Sequence, residues 1–348
     1  MEQNRKSEKT KKTLLIIMVA LFAILIIAGI YAYTQIFKPV ELSNTEFLYI
    51  DENMSYNEVV AQLNEKSILF NEDIFRFLSD RMKYPTKVKT GKYSIEPGMT
   101  MPEIIRKLRS AQQTPVKLTF NNIRTMESLA GRFSSQLMLD SVSIIRALND
   151  TTVAELYGFN QLTFGAMFIP NTYEVYWDTD IENLLTRMKR EYTSFWNNDR
   201  KTKAEKIGLT PLEISTLASI VEEEATYVDE YSTVAGLYIN RLNRGMRLEA
   251  DPTVKYAVGD VSLRRILFRH LEVDSPYNTY KNDGLPPGPL RIPSTTAIDA
   301  TLTPDEHKYL FMCAKDDLSG RHNFAITHAE HAKNARAYQR ALNERGIY

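Results

Sequence analysis

The sequence predicts an α+β protein: an N-terminal transmembrane helix, a small α/β module, and a larger mixed α/β domain. Three observations carry this. Residues 13–37 form one uncharged, apolar stretch. From residue 47 to 110, short strand-like runs alternate with capped amphipathic helices. From residue 116 onward, one alternating strand leads into helical patterns punctuated by loops rich in Pro and Gly. A chain of 348 residues has room for two or three domains. Its 43 basic and 43 acidic residues leave no net charge, so there is no basic footprint and nucleic acid is excluded as a partner. A hydrophobic fraction of 43% excludes wholesale disorder. The single cysteine, Cys313, excludes an intrachain disulfide and a thiolate metal cluster.

The apolar stretch comes first. Thr13 to Tyr33 as a helix is about 31 Å long, matching a hydrocarbon core of about 30 Å. Arg5, Lys6, Lys9, Lys11 and Lys12 precede it, and Lys38, Glu41, Glu46, Asp51 and Glu52 follow. The positive-inside rule therefore predicts a cytoplasmic tail at 1–12, an anchor at 13–37, and everything after Lys38 outside. Tyr31 and Tyr33 suit the outer interface. A cleaved signal peptide is the rival. The stretch is long for such a segment and no A-x-A site follows, which favours a retained single-pass anchor.

Residues 38–115 are predicted to be a linker and a small module. Phe47–Ile50 reads as a strand. Ser55 caps a helix whose box Glu58 completes, with Val59, Val60 and Leu63 on its apolar face. Glu72 to Met82 reads as a second helix, with Ile74, Phe75, Phe77 and Leu78 apolar. Gly91 to Ile95 is strand-like, Pro97-Gly98 a turn, and Thr100 caps a helix with Ile104, Ile105 and Leu108 on one face. This βααβα order resembles a small carbohydrate-binding fold of the LysM type.

Residues 116–348 are predicted to form the larger domain. Val116 to Phe120 alternates as a strand; Met126 to Leu139 and Val142 to Leu148 are helical in pattern. Gly165 to Trp177 reads as a loop rich in aromatic residues. It suits either a sugar-stacking platform or a core loop with Tyr and Trp half buried. Ile181 to Trp196 reads as a charged amphipathic helix.

The segment from Pro211 to Thr226 carries the chemistry. Thr210, Pro211 and Glu213 supply a helix start and a capping box. Glu222, Glu223 and Glu224 then end the helix, where the macrodipole opposes negative charge. Helical phase separates the three. Leu217, Ile220 and Val221 lie within about 60° of Glu224, whereas Glu222 is about 160° away on the polar side. Glu224 thus points with the buried face, where its charged form is disfavoured and its pKa rises, as a general acid requires. The bland alternative is a surface acid beyond the helix end. Further on, Leu237, Ile239 and Leu242 belong to a helix ending at Gly245, with Asn240 a polar residue inside the apolar pattern. Asp251 and Pro252 read as cap and first residue of another short helix. Ser275 to Pro289 reads as a rigid loop suited to building a site.

Ser219–Glu224, Asn240–Leu242, Gly245–Leu248, Asp251–Val254, Tyr277–Tyr280, Gly284–Gly288, Tyr309–Phe311, His322–Phe324 and Glu330-His331 together resemble the YceG-like family of endolytic peptidoglycan transglycosylases. The resemblance runs from about Phe47 to the C-terminus. This chain departs from the family pattern at Glu249, Ala250, Ser294 and Ala332. The resemblance implies Glu224 as catalytic acid. It implies substrate contacts from Glu222, Asn240, Asp251, Thr253, Tyr277, Asn278, Thr279, Tyr280, His322 and Phe324. It also implies a lytic reaction on nascent peptidoglycan, cleaving the MurNAc–GlcNAc β-1,4 bond to leave 1,6-anhydro-MurNAc ends and so terminating glycan elongation. The implied partners are glycan strands, the cytoplasmic membrane and peptidoglycan synthases; no metal or cofactor is implied. The implied location is the cytoplasmic membrane, with the large domain outside. Three alternatives stay open: a two-carboxylate muramidase using Asp251 or Glu222, a metal site from His322, His328 and His331, and a non-catalytic wall-binding scaffold.

Overall fold

The computed structural model describes residues 2–260, 263 and 266–346. The first helix, α1 (Glu2–Ile36), takes in both the apolar stretch and the charged residues before it. The residues before the apolar stretch share its helix. They contain no Gly or Pro and are rich in Lys, Glu, Gln and Arg, so nothing stops the helix from running back through them. Within α1, Lys11–Ile36 is 26 residues long and apolar enough to cross a membrane. Its apolar side chains are exposed, Leu25 at 69%. The remainder is mixed helix and sheet, and the chain divides into two compact units: Met1–Val116 with Glu174–Asp178, and Lys117–Tyr173 with Thr179–Tyr348.

In the first unit, β1 (Glu46–Ile50) precedes α2 (Tyr56–Glu65) and α3 (Glu72–Arg81); β2 (Gly91–Ile95) and α4 (Met101–Arg109) follow. The strands pair antiparallel with Leu48 opposite Tyr93 and Ile50 opposite Gly91. Alternation sends Leu48 and Ile50 inward onto Val59, Val60, Leu63, Phe75, Ile104, Ile105 and Leu108, all fully buried. The capping boxes of Ser55 with Glu58 and Thr100 with Glu103 are formed. Of the apolar residues predicted on α3, Phe77 is exposed, because its phase opposes Phe75. The short return 174–178 is tied in by Asp178, which accepts from Thr90 Oγ1 at 2.8 Å and Gln113 Nε2 at 2.9 Å.

The second unit opens on β3 (Val116–Phe120), followed by α5 (Met126–Ser134), α6 (Ser141–Leu148) and α7 (Thr151–Leu156). Helix α5 stops five residues short of the predicted Leu139. Ser134 and Ser135 turn their hydroxyls back onto the carbonyls of Gly131 and Arg132, competing with the helical ladder. The segment expected to be an aromatic loop is instead a 3-10 turn at Phe164–Met167 and a strand, β4 (Asn171–Val175), paired with β3. Phe168 and Tyr173 are buried against Phe133 and Phe120 as core, so these rings are no sugar platform. Next come α8 (Ile181–Phe195) and α9 (Asn198–Ile207).

The main core of this unit surrounds α10 (Pro211–Glu224), from which Ile214 to Val221 are buried without a break. Around it lie α11 (Tyr231–Asn243), α12 (Asp251–Val258), the short α13 (Phe268–Leu271), and α14 (Thr295–Leu302). The hairpin of β5 (Phe311–Ala314) and β6 (His322–Ala325) follows, and α15 (His328–Glu344) packs on it. Helix α11 ends as predicted, with Gly245 at φ 65° beyond Arg244. Gly236 lets another segment press onto α11. A Cβ there would lie 2.7 Å from the Asp305 carbonyl oxygen.

Candidate active site

Three consecutive glutamates end α10, and the structure gives each a different environment. Glu222 accepts from the Ser294 backbone N–H at 2.8 Å and lies 3.7 Å from Arg291 Nε. Glu223 takes Arg291 at 2.7 Å and Arg124 at 3.0 Å. The side chains of Glu222, Glu223 and Arg291 are 13%, 16% and 6% exposed, so Glu222, expected on the polar side, is enclosed, and so is its neighbour Glu223. Arg291, with Arg124, supplies the positive charge that the helix C-terminus needs.

Glu224 is the one left without a cation. Its Oε2 is buried and has no hydrogen-bond partner. Burial, with the Asp251 charge adding to it, pushes its pKa up to about 8. All three glutamates are half-buried, so phase did not separate them by burial; what sets Glu224 apart is its buried carboxylate oxygen without a partner. The carboxyl stands in the wall of a cavity of about 530 Å³.

The opposite walls come from distant elements. Helix α11 contributes Tyr238 and Arg241. Arg241 is fixed by the carbonyls of Arg247 at 2.7 Å and Leu310 at 2.9 Å, and it pairs with Glu249. Asp251 is the first residue of α12 and not its cap. Ala250 holds the cap position, and the Asp251 carboxylate instead accepts from the Tyr280 hydroxyl at 2.7 Å. This corrects the capping role predicted for Asp251 and puts a second carboxylate in the same cavity as Glu224. The β5–β6 hairpin supplies Phe311, Cys313 and His322, and α15 supplies His331. His322 is gripped by Glu230, whose carboxylate accepts from the His322 backbone N–H at 3.0 Å and meets Nδ1 at 3.1 Å.

Of the residues named from the sequence, Glu224, Asp251, Tyr280 and His322 come together here. The others lie outside the lining. Thr253, Asn278 and Thr279 are fully buried, with their polar groups spent inside the protein. The two threonine hydroxyls meet at 2.8 Å, Thr279 Oγ1 accepts from Ala250 N–H, and the Asn278 amide donates to the carbonyls of Leu271 and Val273. This stitching holds the Asp251 and Tyr280 loops in register. Asn240 donates to the carbonyls of His307 and Tyr309, Phe324 stacks on Tyr309, and Tyr277 packs on Tyr256. Glu222 is committed to Ser294 and Arg291, as above.

Sequence reasoning gave no role to Arg241, Glu230 or Arg291. Arg241 had one local signal, since it follows Leu237 by four residues on an apolar helical stripe. Glu230 and Arg291 had none, because their partners lie 92 and 68 residues away. Among the described residues, no group of three or more His, Cys, Asp or Glu side chains is placed to hold a metal ion. His322 and His331 share the cavity, while His328 lies beside His331 on α15.

The YceG-like family profile matches residues 48–337. A Bacillus subtilis protein named endolytic murein transglycosylase is 29% identical, over 92% of this chain and 93% of its own. A Streptococcus pneumoniae protein of the same name is 25% identical over 93% of this chain, which spans 64% of that longer relative. A crystal structure of a yceG-like protein from Listeria monocytogenes superposes with a TM-score of 0.55 at 27% identity, covering 84% of this chain and 99% of the other.

Proposed function

The chain belongs to the YceG-like family, and from that premise we propose that it is an endolytic murein transglycosylase with Glu224 as its acid. The observation that carries this is the Glu224 carboxyl, unpartnered in a cavity wall and protonated at neutral pH because its pKa is raised to about 8. A carboxyl in that state can deliver a proton to a glycosidic oxygen. In this reading it protonates the oxygen of the β-1,4 bond between MurNAc and GlcNAc. The MurNAc 6-hydroxyl then attacks its own C1, the C1–O4 bond breaks, and a 1,6-anhydro end remains. An acid that has given its proton can later take one back, so no second carboxylate is required. Arg241, Tyr238 and Tyr280 supply donors and ring faces suited to sugar hydroxyls and C–H faces.

Replacing Glu224 with Gln keeps shape and removes the transferable proton. Glu224→Gln should bind glycan and form no anhydro-MurNAc, a loss of about 10²–10⁴-fold. Mass spectrometry of digested glycan strands reads this directly. Full activity in the variant would remove Glu224 from the mechanism.

The presence of Asp251 in the cavity favours one second reading, a hydrolytic muramidase with two carboxylates. Reducing MurNAc ends from the wild type, together with a dead Asp251→Asn, would select it. A non-catalytic scaffold would release no fragments at all.

The finer organisation belongs to the same proposal. Residues 1–12 face the cytoplasm and 13–37 anchor the chain in the cytoplasmic membrane. Residues 38–115 form a linker and a LysM-like module that holds glycan, and 116–348 carry the chemistry outside the membrane. Working on nascent strands brings the protein to peptidoglycan synthases, and its cut terminates glycan elongation.

A further inference from the structure

Helix α12 gives Asp251 to the catalytic cavity, but its next residues line a different space. This is a groove of two lobes, of about 410 and 400 Å³. Arg124, Thr125, Tyr256 and Leu290 line both lobes, so the two are continuous. Every residue lining them belongs to the second unit. The first lobe adjoins the catalytic cavity. Glu224 and Asp251 line the cavity, and their chain neighbours Glu223 and Pro252 line the lobe. Consecutive Cα atoms are about 3.8 Å apart, so one residue's width on each of two helices separates the two spaces.

The first lobe is apolar with an excess of positive charge. Pro252, Leu290 and the Tyr256 ring form its walls. Tyr256 is braced by Tyr277, ring centroids 4.6 Å apart, and remains 45% exposed. Two cations, Arg124 and Lys255, stand in this lobe against one acid, Glu223. That acid is already shared between Arg124 at 3.0 Å and Arg291 at 2.7 Å. Lys255 is half-buried, and among the described residues no carboxylate pairs with it. An ammonium partly withdrawn from water without a counter-ion favours an anionic ligand.

The second lobe calls for a donor. Gln161 lines it and is itself half-buried. Its amide nitrogen donates to the Leu148 carbonyl at 3.0 Å, while its Oε1 is buried with no partner. A buried acceptor is costly to leave unmade, and a ligand N–H would relieve it. The occupant must therefore combine a carboxylate, small apolar groups and N–H donors. A sugar ring alone lacks the charge, whereas a short peptide has all three. Murein brings one to the cut, because each MurNAc lactyl group can carry a stem peptide of alanines and residues with free carboxylates.

We propose that the groove is a stem-peptide subsite. Lys255 and Arg124 take a stem carboxylate, Tyr256 and Leu290 pack on alanine methyls, and Gln161 Oε1 accepts a peptide N–H. The proposal rests on the transglycosylase reading above and deepens it, since it makes cutting depend on the stem.

Strands with intact stems, compared with strands stripped of stems by an amidase, separate this subsite from the chemistry. With full-length protein in detergent, kcat/KM should be about tenfold higher on stemmed strands. Lys255→Met keeps the alkyl chain and removes the charge. It should raise KM for stemmed strands about tenfold with little change in kcat, and so bring the stemmed-to-stripped ratio close to one. Gln161→Met should lower that ratio several-fold. A folding defect lowers cleavage of both strands alike and keeps the ratio, so the ratio decides even for a destabilised variant. Equal cutting of both strands by the wild type overturns the proposal, and so does a wild-type ratio in both variants. A preference for stripped strands that Lys255→Met abolishes also overturns it, by assigning the cation to the bare lactyl carboxylate. The product ends report on the parent reading separately. Anhydro ends with a ratio of one bring down the subsite alone, whereas reducing ends bring down the lytic mechanism whatever the ratio.

Discussion

A buried acid pays for its reactivity in stability, and Glu224 shows the sign. Its folded-state pKa of about 8 lies above the ordinary 4.5. Below about pH 4.5 the carboxyl is protonated whether folded or unfolded, and burial carries no ionisation penalty. Between 4.5 and 8 the unfolded chain ionises while the folded one holds its proton, so stability falls as pH rises. Glu224→Gln removes that term. Its melting temperature should match wild type near pH 4.5 and exceed it by several degrees at pH 8, at about 2–4 °C per kcal/mol. Thermal melts at the two pH values check this, and an equal shift at both would remove the ionisation account. Legibility at this scale was mixed. Phase placed Glu224 beside the apolar stripe of one regular helix, but it misplaced Glu222, which loops from elsewhere enclose. The roles of Asp251 and Glu230 could not be read, since each depends on a side chain brought from another element.

The last turn of α10 is held by the cluster of Glu222, Glu223 and Arg291. Arg291 sits in the Pro- and Gly-rich run leading to α14, so the same ion cluster ties α14 to the helix that carries Glu224. Removing Arg291 leaves the enclosed Glu222 with no cation and Glu223 with Arg124 alone at a helix C-terminus, which costs about 3 kcal/mol. Arg291→Met should therefore lower the melting temperature by roughly 10 °C. Adding Glu222→Gln and Glu223→Gln should recover part of the loss, and additivity of the three would show that they are not coupled. The helices with capping boxes were legible in the sequence because start signals are local. Strand β4 was not. It contains Asn and Glu, and its pairing with β3 spans more than fifty residues that no local pattern reports.

At the scale of the molecule, every residue lining the cavity belongs to the second unit. Deleting residues 47–110 should accordingly weaken glycan binding and leave measurable cleavage by the remaining chain. Complete loss of chemistry in a deletion variant that still melts cooperatively would show that the small unit takes part in it. A reporter enzyme fused after Lys38 should be active only outside the cytoplasm, and activity inside would reverse the proposed orientation. The long apolar helix was legible because composition announces it. The cavity itself was not, since α10, α11, α12, the hairpin and α15 each contribute only one or a few residues to it.

That scatter has a consequence for when, during synthesis, the cavity can be completed. About a hundred residues separate Glu224 from His331, and at 5–20 residues per second the ribosome needs on the order of ten seconds to bridge them. Until β6 and α15 emerge, the cavity beside Glu224 lacks the walls that carry His322 and His331. A chain halted in synthesis before residue 322 carries the long apolar helix and Glu224 but lacks two walls of the cavity. The late position of the hairpin and α15 in the chain thus delays completion of the cavity until long after Glu224 has been made.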